Sequence, residues 1–341
     1  MGGLRLKRLI VIGIVLCSVI LLLPALLVMF SSQPQMVTEE TQMAPIEAVD
    51  LPESELAVHV FRSQTESVES VPLEEYVVGV VASEMPAEFE LEALKAQSLT
   101  ARTFLLKQLL EPNDIELPEG AMITDTEMHQ VYQSEAELKE RWGKDYHWKI
   151  ARIKQAVSET AGQVLTYDGT PITAAFFSTS NGYTENSEDY WKSEIPYLRS
   201  VESPWDQQHS PRFIGEKVLS VEEFQERLGV TLPDDGSIGS IVARTEGGRV
   251  AKVNINGTEI SGRVVREELE LNSADFQWKR QGDNIVIETK GWGHGVGMSQ
   301  YGANGMALNG STYQEIISHY YQGVEIESVG PYEQQLMARG D

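Results

Sequence analysis

Apolar side chains recur every three or four positions along residues 73–81, a spacing that predicts the buried face of a helix. Glu84 continues the same face at the end of this segment. A carboxyl group that is partly withdrawn from water has a raised pKa, because burial disfavours its charged form, and it can then donate a proton near neutral pH. A lone glutamate at a helix end more often turns toward solvent, so periodicity alone leaves both interpretations open.

The rest of the pattern predicts helices mixed with antiparallel hairpins. A second helix covers residues 91–110 and carries Arg102 among weakly charged neighbours, where an isolated arginine usually only covers surface. The order of the elements shows no alternation of strand, helix and parallel strand, so the predicted class is α+β. Further helices are predicted at 148–160, 221–228 and 265–271, and hairpins around Asp168-Gly169 and Gly247-Gly248.

The N-terminal region has a different pattern, because residues 9–30 are apolar and uncharged and long enough to cross a bilayer as a helix. A cleaved signal peptide is the alternative, but its apolar run is usually shorter. Basic residues precede this run, which predicts a cytoplasmic N-terminus. We therefore expect a cytoplasmic tip at 1–8, a single transmembrane anchor at 9–30, a linker at 31–55 and an extracytoplasmic remainder.

Composition excludes several classes of function. The formal net charge is −24, from 27 Lys and Arg against 51 Asp and Glu, and no basic block is present, so nucleic acid is not an expected partner. The one cysteine, Cys17, lies in the expected anchor, which excludes disulfides and a cysteine nucleophile from the outer domain. The six histidines show no metal-binding spacing, so no metal and no cofactor are expected.

Two polar segments contain candidate binding residues. Ser178 and Asn181 follow a predicted strand and form a polar turn, and Tyr190 and Lys192 add an aromatic face and a hydrogen-bond donor. The second segment, GWGHGVGMSQYGANGMA, surrounds His294 with glycines that let the backbone approach a neighbour closely. A well-capped turn with core aromatics is the more frequent explanation of the first segment alone, and a packing role of the glycines stays open for the second.

Taken in order, five segments resemble the stage II sporulation protein D family over residues 71 to 322: VVASEMPAEF, LEALKAQSLTART, FFSTSNGYTENSEDYW, IPYLRSVESPWD and GWGHGVGMSQYGANGMA. The resemblance implies a peptidoglycan lytic transglycosylase, which cleaves the bond between N-acetylmuramic acid and N-acetylglucosamine without water and leaves a 1,6-anhydro end. It also implies that Glu84, the glutamate of the SEMP motif, is the catalytic acid. One carboxylate suffices for this reaction, because the attacking hydroxyl belongs to the substrate.

The resemblance implies further roles and partners. Arg102, Tyr190 and Lys192 become candidates for holding the glycan, and His294 for lining or supporting the cleft. Some family members carry a Cys/His zinc cluster before a QVY motif, but ITDTEMHQVY in this chain has His129 and no cysteine, so that site should be missing. The expected partners are glycan strands stripped of stem peptides, a sporulation amidase and membrane proteins of forespore engulfment, with the protein in the engulfing mother-cell membrane.

Two alternatives and a domain arrangement complete the expectations. The domain could be a noncatalytic wall-binding scaffold that activates the amidase, or a muramidase that uses water and a second carboxylate such as Glu88 or Asp189. The expected main domain consists of 56–206 and 291–324, with a smaller subdomain inserted at 207–290. The acidic tail at 325–341 is expected to be disordered.

Overall fold

The computed structural model describes residues 50–338 except 53, 113–114 and 234. The described residues combine helices with several small sheets, which confirms the predicted α+β class. Within this part of the chain, no helix has the length and apolar character needed to span a bilayer. The expected tip at 1–8 and anchor at 9–30 lie outside the described residues.

The helices alternate irregularly with short strands, and a 3-10 turn at Gly143–Asp145 separates α3 from α4. The helices are α1 Leu73–Glu84, α2 Leu91–Leu110, α3 Glu135–Trp142, α4 Tyr146–Glu159, α5 Ser187–Trp191, α6 Trp205–His209, α7 Val221–Leu228, α8 Gly262–Glu268, α9 Gln300–Leu308, α10 Tyr313–Tyr320 and α11 Gly330–Ala338. The strands are β1 Ala57–Arg62, β2 Ser67–Pro72, β3 Ile123–Thr124, β4 Gln163–Tyr167, β5 Thr170–Pro171, β6 Phe176–Phe177, β7 Ile214–Ser220, β8 Ser240–Arg244, β9 Val250–Ile255, β10 Thr258–Ser261, β11 Phe276–Gln281, β12 Asn284–Lys290, β13 Met298–Ser299 and β14 Glu325–Ser328.

The strands form sheets in the orders β2-β1-β3, β10-β9-β8, β11-β12-β7 and β14-β4-β5, and β13 pairs with β6. Most neighbours are antiparallel, as the predicted hairpins require, but β1 with β3 and β6 with β13 are parallel. The parallel pair of β6 and β13 joins the two polar segments singled out in the sequence, because Met298 lies opposite Phe176 and Ser299 opposite Phe177.

Two hydrophobic clusters divide the described residues. The larger cluster takes its buried side chains from residues 56–198 and 296–336, with α1 and α2 at its centre. The smaller cluster takes all of its buried side chains from residues 219–287, inside the range expected for an inserted subdomain. The two parts are joined by polar contacts: the Asn181 amide donates to the Gly247 carbonyl at 2.9 Å, and the buried Arg249 guanidinium donates to Glu185 at 3.2 Å.

Helix α1 spans the residues that its periodicity predicts, and a neighbouring loop packs tightly against it. A Cβ atom at Gly79 would lie 2.4 Å from the ring of Tyr132, so only glycine allows the Tyr132 loop to approach this closely. Beyond the helix, Met85 is extended and Pro86 prevents another turn. The loop around Tyr132 and the end of α1 at Glu84 are therefore held side by side.

Arg102 was expected to hold the glycan, but it is fully buried in the middle of α2 and does not line the cleft that contains Glu84. Its guanidinium donates through Nε and Nη2 to the carboxylate of Glu74 on α1, at 3.0 and 2.7 Å, and the Glu74 side chain is only 6% exposed. Further donors reach the carbonyls of Gln163 and Val157. Arg102 therefore joins α1 to α2 and is removed from the glycan-holding residues.

The C-terminal segment corrects a second expectation. Residues expected to form a disordered tail instead form β14 and α11, and β14 pairs antiparallel with β4. Leu336 of α11 is 2% exposed and belongs to the larger hydrophobic cluster. The Tyr332 hydroxyl also donates to the Gly169 carbonyl at 3.0 Å. The acidic character of the segment concealed these apolar anchors, which are spaced too widely for a periodicity argument.

We expect Arg102→Met to lower the free energy of unfolding by about 3–5 kcal/mol, because it leaves the Glu74 carboxylate buried without its cation. The double variant Glu74→Met/Arg102→Met removes both charges and should recover most of that loss. Urea denaturation followed by circular dichroism measures both changes. A single variant that loses less than about 1 kcal/mol would show that the pair does not stabilise the fold.

Candidate active site

A cleft of about 540 Å³ opens around the C-terminal end of α1. Its floor contains Glu84, and its walls come from parts of the chain that are far apart in sequence. The wall residues include Glu88, Phe89, Glu127, Arg141, Trp142, Lys149, Phe176, Phe177, Ser178, Arg212, Trp292, Gln300 and Tyr301. The cleft therefore joins the SEMP segment to both polar segments identified in the sequence.

Glu84 is half-buried and is fixed from two sides. The backbone N–H of Val131 donates to Glu84 Oε1 at 3.2 Å, and the Gln300 amide donates to the Glu84 carbonyl at 3.0 Å. Gln300 is the first residue of α9, so the second contact depends on where that helix begins. One contact orients the carboxyl group and the other fixes the backbone that carries it.

The surroundings of Glu84 favour its protonated form. Burial raises the pKa of the Glu84 carboxyl group, the hydrogen bond from Val131 opposes this, and the negative charge of Glu127 raises it further. The net direction is upward. This matches the sequence argument that an acid on an apolar helix face retains its proton, and it identifies Glu127 as a contributor that the sequence did not reveal.

The loop that supplies Val131 is held by buried polar side chains. The backbone N–H of Thr124 donates to His129 Nδ1 at 3.2 Å, and the Tyr76 hydroxyl donates to the Gln130 side chain at 3.3 Å. Burial lowers the pKa of His129, which favours the neutral form of its imidazole. Within the described residues, no three His, Cys, Asp or Glu side chains are grouped closely enough to hold a metal ion. Hydrogen bonds of His129 therefore shape this loop.

The start of α9 is fixed by the buried carboxylate of Asp206. Ser299 is the N-cap of α9, and its hydroxyl donates to Asp206. The Asp206 carboxylate also accepts from the Ser180 N–H at 2.8 Å and from the Ser203 hydroxyl at 2.6 Å. Asp206 thus connects α9, and through Gln300 the backbone of Glu84, to the polar turn after β6.

His294 lies behind the wall of the cleft. Its imidazole contacts the rings of Phe177, Tyr190 and Trp191 at centroid distances of 5.7, 5.5 and 5.9 Å, and Phe177 lines the cleft. The Val296 N–H donates to His294 Nδ1 at 3.1 Å, so the proton of the neutral ring is on Nε2. Burial, assisted by nearby arginines, lowers the pKa of His294 to about 4. His294 is a neutral packing residue of this wall.

The other expected binding residues separate into two groups. Ser178 lines the cleft together with Glu84. Tyr190 is stacked under Arg263 at 4.4 Å and contacts His294, and Lys192 is an exposed residue at the end of α5 with a φ of 66°. Neither side chain lines the cleft, and the Asn181 amide is engaged with Gly247 and Asp275.

Sequence reasoning missed several residues that do line the cleft. The Arg212 guanidinium stacks on the indole of Trp292 at 4.9 Å, and Lys149 pairs with Glu88 at 2.7 Å. Trp292 belongs to the unusual glycine segment, so a tryptophan between two glycines was a usable signal in the sequence. Arg212 lies in none of the recognised segments, and only the fold brings it to the cleft.

Comparison with known proteins identifies relatives of this chain. The family description "Stage II sporulation protein" matches residues 61–167, which include the SEMP segment and α2. Stage II sporulation protein D of Bacillus subtilis (strain 168) is 49% identical over 95% of this chain and 97% of its own length. The corresponding protein of Bacillus amyloliquefaciens is also 49% identical over the same shares of both chains.

A more distant relative is named for an effect on amidases. The "Amidase enhancer" of Bacillus subtilis (strain 168) is 27% identical over 73% of this chain and 40% of its own length. The high identity across nearly the whole length of the two Bacillus proteins decides the family. The chain belongs to the stage II sporulation protein D family of sporulation proteins.

Proposed function

We propose that this protein is a peptidoglycan lytic transglycosylase that acts during forespore engulfment, with Glu84 as its single acid and base. The observation that carries the proposal is the half-buried Glu84 carboxyl group, held in a cleft with a raised pKa and no cation paired to it among the described residues. Such a group can donate a proton at neutral pH and accept one later in the same turnover.

The proposed reaction begins when protonated Glu84 donates to the glycosidic oxygen between N-acetylmuramic acid and N-acetylglucosamine. The bond from the muramic C1 to that oxygen breaks, and positive charge develops at C1. The Glu84 carboxylate, held by the Val131 N–H, then accepts the proton of the muramic 6-hydroxyl. At the same time the oxygen of that hydroxyl forms a bond to C1. The product is a 1,6-anhydro end, and Glu84 finishes the cycle protonated.

The surroundings of the other carboxylates favour this reaction over hydrolysis. Hydrolytic glycosidases use a second carboxylate to activate water or to attack the sugar. Glu88 pairs with Lys149 at 2.7 Å. Partial burial raises the pKa of Glu88, but the hydrogen bond from Lys149 outweighs it with the help of further contacts, and the net direction is downward. Asp189 does not line the cleft. Glu127 also lines the cleft and is exposed. If Glu127 activated water, the product would carry the mass of an added water, and mass spectrometry would detect it.

A second candidate function is that of a noncatalytic wall-binding module that activates an amidase. The similarity to the amidase enhancer favours it. Both functions need a glycan-binding cleft, but only the enzyme needs an acid with a raised pKa at Glu84. In either case we propose that residues 9–30 anchor the protein in the engulfing membrane, where it acts beside an amidase that strips stem peptides and beside membrane proteins of engulfment.

We expect Glu84→Gln to lower the rate of anhydro-end formation from stripped glycan strands by about 10²–10⁴-fold, because a general acid contributes about that much to the rate. Mass spectrometry of the products distinguishes anhydro ends from reducing ends, which carry an added water. Glu88→Gln is the matched control, since it removes a carboxylate from the same cleft and should keep activity within about threefold.

Three results would contradict the proposal. Undiminished activity of Glu84→Gln would exclude Glu84 as the acid, and reducing ends would identify a muramidase. Glycan binding without cleavage would favour the amidase-activating function. Circular dichroism of both variants should match the unsubstituted protein, because neither carboxylate belongs to the buried pair that joins α1 to α2.

We expect Glu127→Gln to move the high-pH limb of kcat/KM toward lower pH. Activity requires protonated Glu84, so it is present below the pKa of Glu84 and is lost as the pH rises through that value. The negative charge of Glu127 raises this pKa, and its removal must lower it. Rates measured from pH 4 to 8, in about 0.5-unit steps, locate the limb. An unmoved limb, or one that shifts upward, would contradict the assignment.

A further inference from the structure

The cleft contains basic side chains although the protein as a whole has a formal net charge of −24. Lys149 is neutralised by Glu88 at 2.7 Å, and Arg141 donates to the Gln133 side chain at 2.7 Å. The Arg212 guanidinium pairs with no carboxylate among residues 50–338 as described, and its contact is the indole face of Trp292. Among the described residues that line the cleft, Arg212 is therefore the basic side chain that neither a carboxylate nor a side-chain amide engages, and it can bind a negatively charged ligand.

The stacking of Arg212 on Trp292 prepares the guanidinium for such a ligand. A guanidinium that lies on an aromatic face keeps its N–H groups free along its edge, and that edge matches the two oxygens of a carboxylate. The stack also limits the rotation of a flexible side chain, which reduces the entropy lost on binding. Trp292 is 39% exposed, so its ring leaves further surface for a sugar.

Both members of this stack are fixed to one buried residue, Thr179. Its backbone exchanges two hydrogen bonds with that of Trp292, at 2.7 and 3.0 Å. Its hydroxyl bonds to that of Ser210 at 2.7 Å, and the Ser210 hydroxyl accepts from the backbone N–H of Arg212 at 3.1 Å. A Cβ atom at Gly291 would lie 2.8 Å from the Thr179 carbonyl, so glycine is needed beside Trp292. The two side chains are therefore placed together by the fold.

We propose that Arg212, stacked on Trp292, binds a carboxylate of the peptidoglycan strand and so selects carboxylate-bearing glycan over neutral glycan. The inference rests on the proposed function for the identity of the ligand. Peptidoglycan offers this group from two sources: the lactyl ether of muramic acid in a stripped strand, and the side chains and ends of the stem peptides. The shared chemistry is a carboxylate within reach of the cleft that contains Glu84.

The test measures equilibrium binding to the full chain carrying Glu84→Gln, so that cleavage does not interfere. Three probes are compared: stripped glycan strands, the same strands with their lactyl carboxylates converted to methylamides, and strands that retain their stem peptides. Arg212→Gln is added to the Glu84→Gln chain. The matched control is Arg280→Gln, which removes an exposed arginine whose side chain, in the part of the chain that the structure describes, bonds to the nearby Gly282 carbonyl and to no carboxylate.

We expect Arg212→Gln to weaken binding of stripped strands about tenfold, the loss typical of a hydrogen-bonded charged contact, and to leave binding of the methylamide strands unchanged. Arg280→Gln should change neither. An equal loss on the peptide-bearing strands would identify the stem peptides as a second source of the carboxylate, and no loss there would restrict it to the lactyl group. Equal losses on charged and neutral strands, or no loss on either, would overturn the inference.

This inference and the proposed function fail in different ways. If the chain with Glu84 intact forms anhydro ends but Arg212→Gln weakens binding of charged and neutral strands equally, or of neither, only the inference fails. If Arg212→Gln weakens binding of the charged strands alone and no anhydro ends form, the proposed enzyme activity fails. Arg212 then remains the carboxylate-binding residue of a wall-binding module.

Discussion

The carboxylate of Asp206 is the contact on which the arrangement of the cleft depends. Among the described residues, four hydrogen-bond donors reach it from Ser180, Ser203 and Ser299, which come together from different parts of the chain. Asp206 is fully buried, so each donor that it loses leaves an uncompensated lone pair in a medium of low dielectric. The three serines are therefore held together more strictly than apolar packing alone would require.

The close approach of α9 to Asp206 explains why Gly302, in the glycine segment, has no side chain. A Cβ atom at Gly302 would lie 2.1 Å from the Tyr320 hydroxyl and 2.8 Å from Asp206, so α9 can reach the carboxylate only with glycine at this position. The same helix begins with Gln300, which fixes the Glu84 backbone. Gly302 therefore serves packing around Asp206, and that packing helps to set the position of Glu84.

The sequence predicted local elements well and long-range partners poorly, for physical reasons. Helices α1 and α2 were predicted to their ends, because apolar periodicity and proline stops are local signals. The partner of Arg102 was not predicted, since Glu74 is 28 residues away and the pair forms only when α1 packs on α2. The resemblance to the family drew attention to Arg102 as a binding residue, but burial shows that it stabilises the domain.

The candidate site shows the same division. The helix face suggested Glu84 without deciding its role, and the resemblance to the family selected it. Ser178 was singled out in the turn that follows β6, and both residues line the cleft. Arg212 and Trp292 lie 80 residues apart and meet through Thr179, a contact that no local pattern encodes. The expected binding residues Tyr190 and Lys192 lie in the right segment but outside the cleft, because Tyr190 packs between His294 and Arg263 and Lys192 is exposed at the end of α5.

Two carboxylates of the same helix show how a partner decides the role of a buried acid. Glu74 lies in the first turn of α1 and receives three hydrogen bonds from the Arg102 guanidinium, so its contribution is to the fold. Glu84 ends α1 and receives one backbone N–H, with the anionic Glu127 nearby instead of a cation. Half-burial without a paired charge raises the pKa of Glu84, which is the direction that the proposed role of donating and then accepting a proton requires.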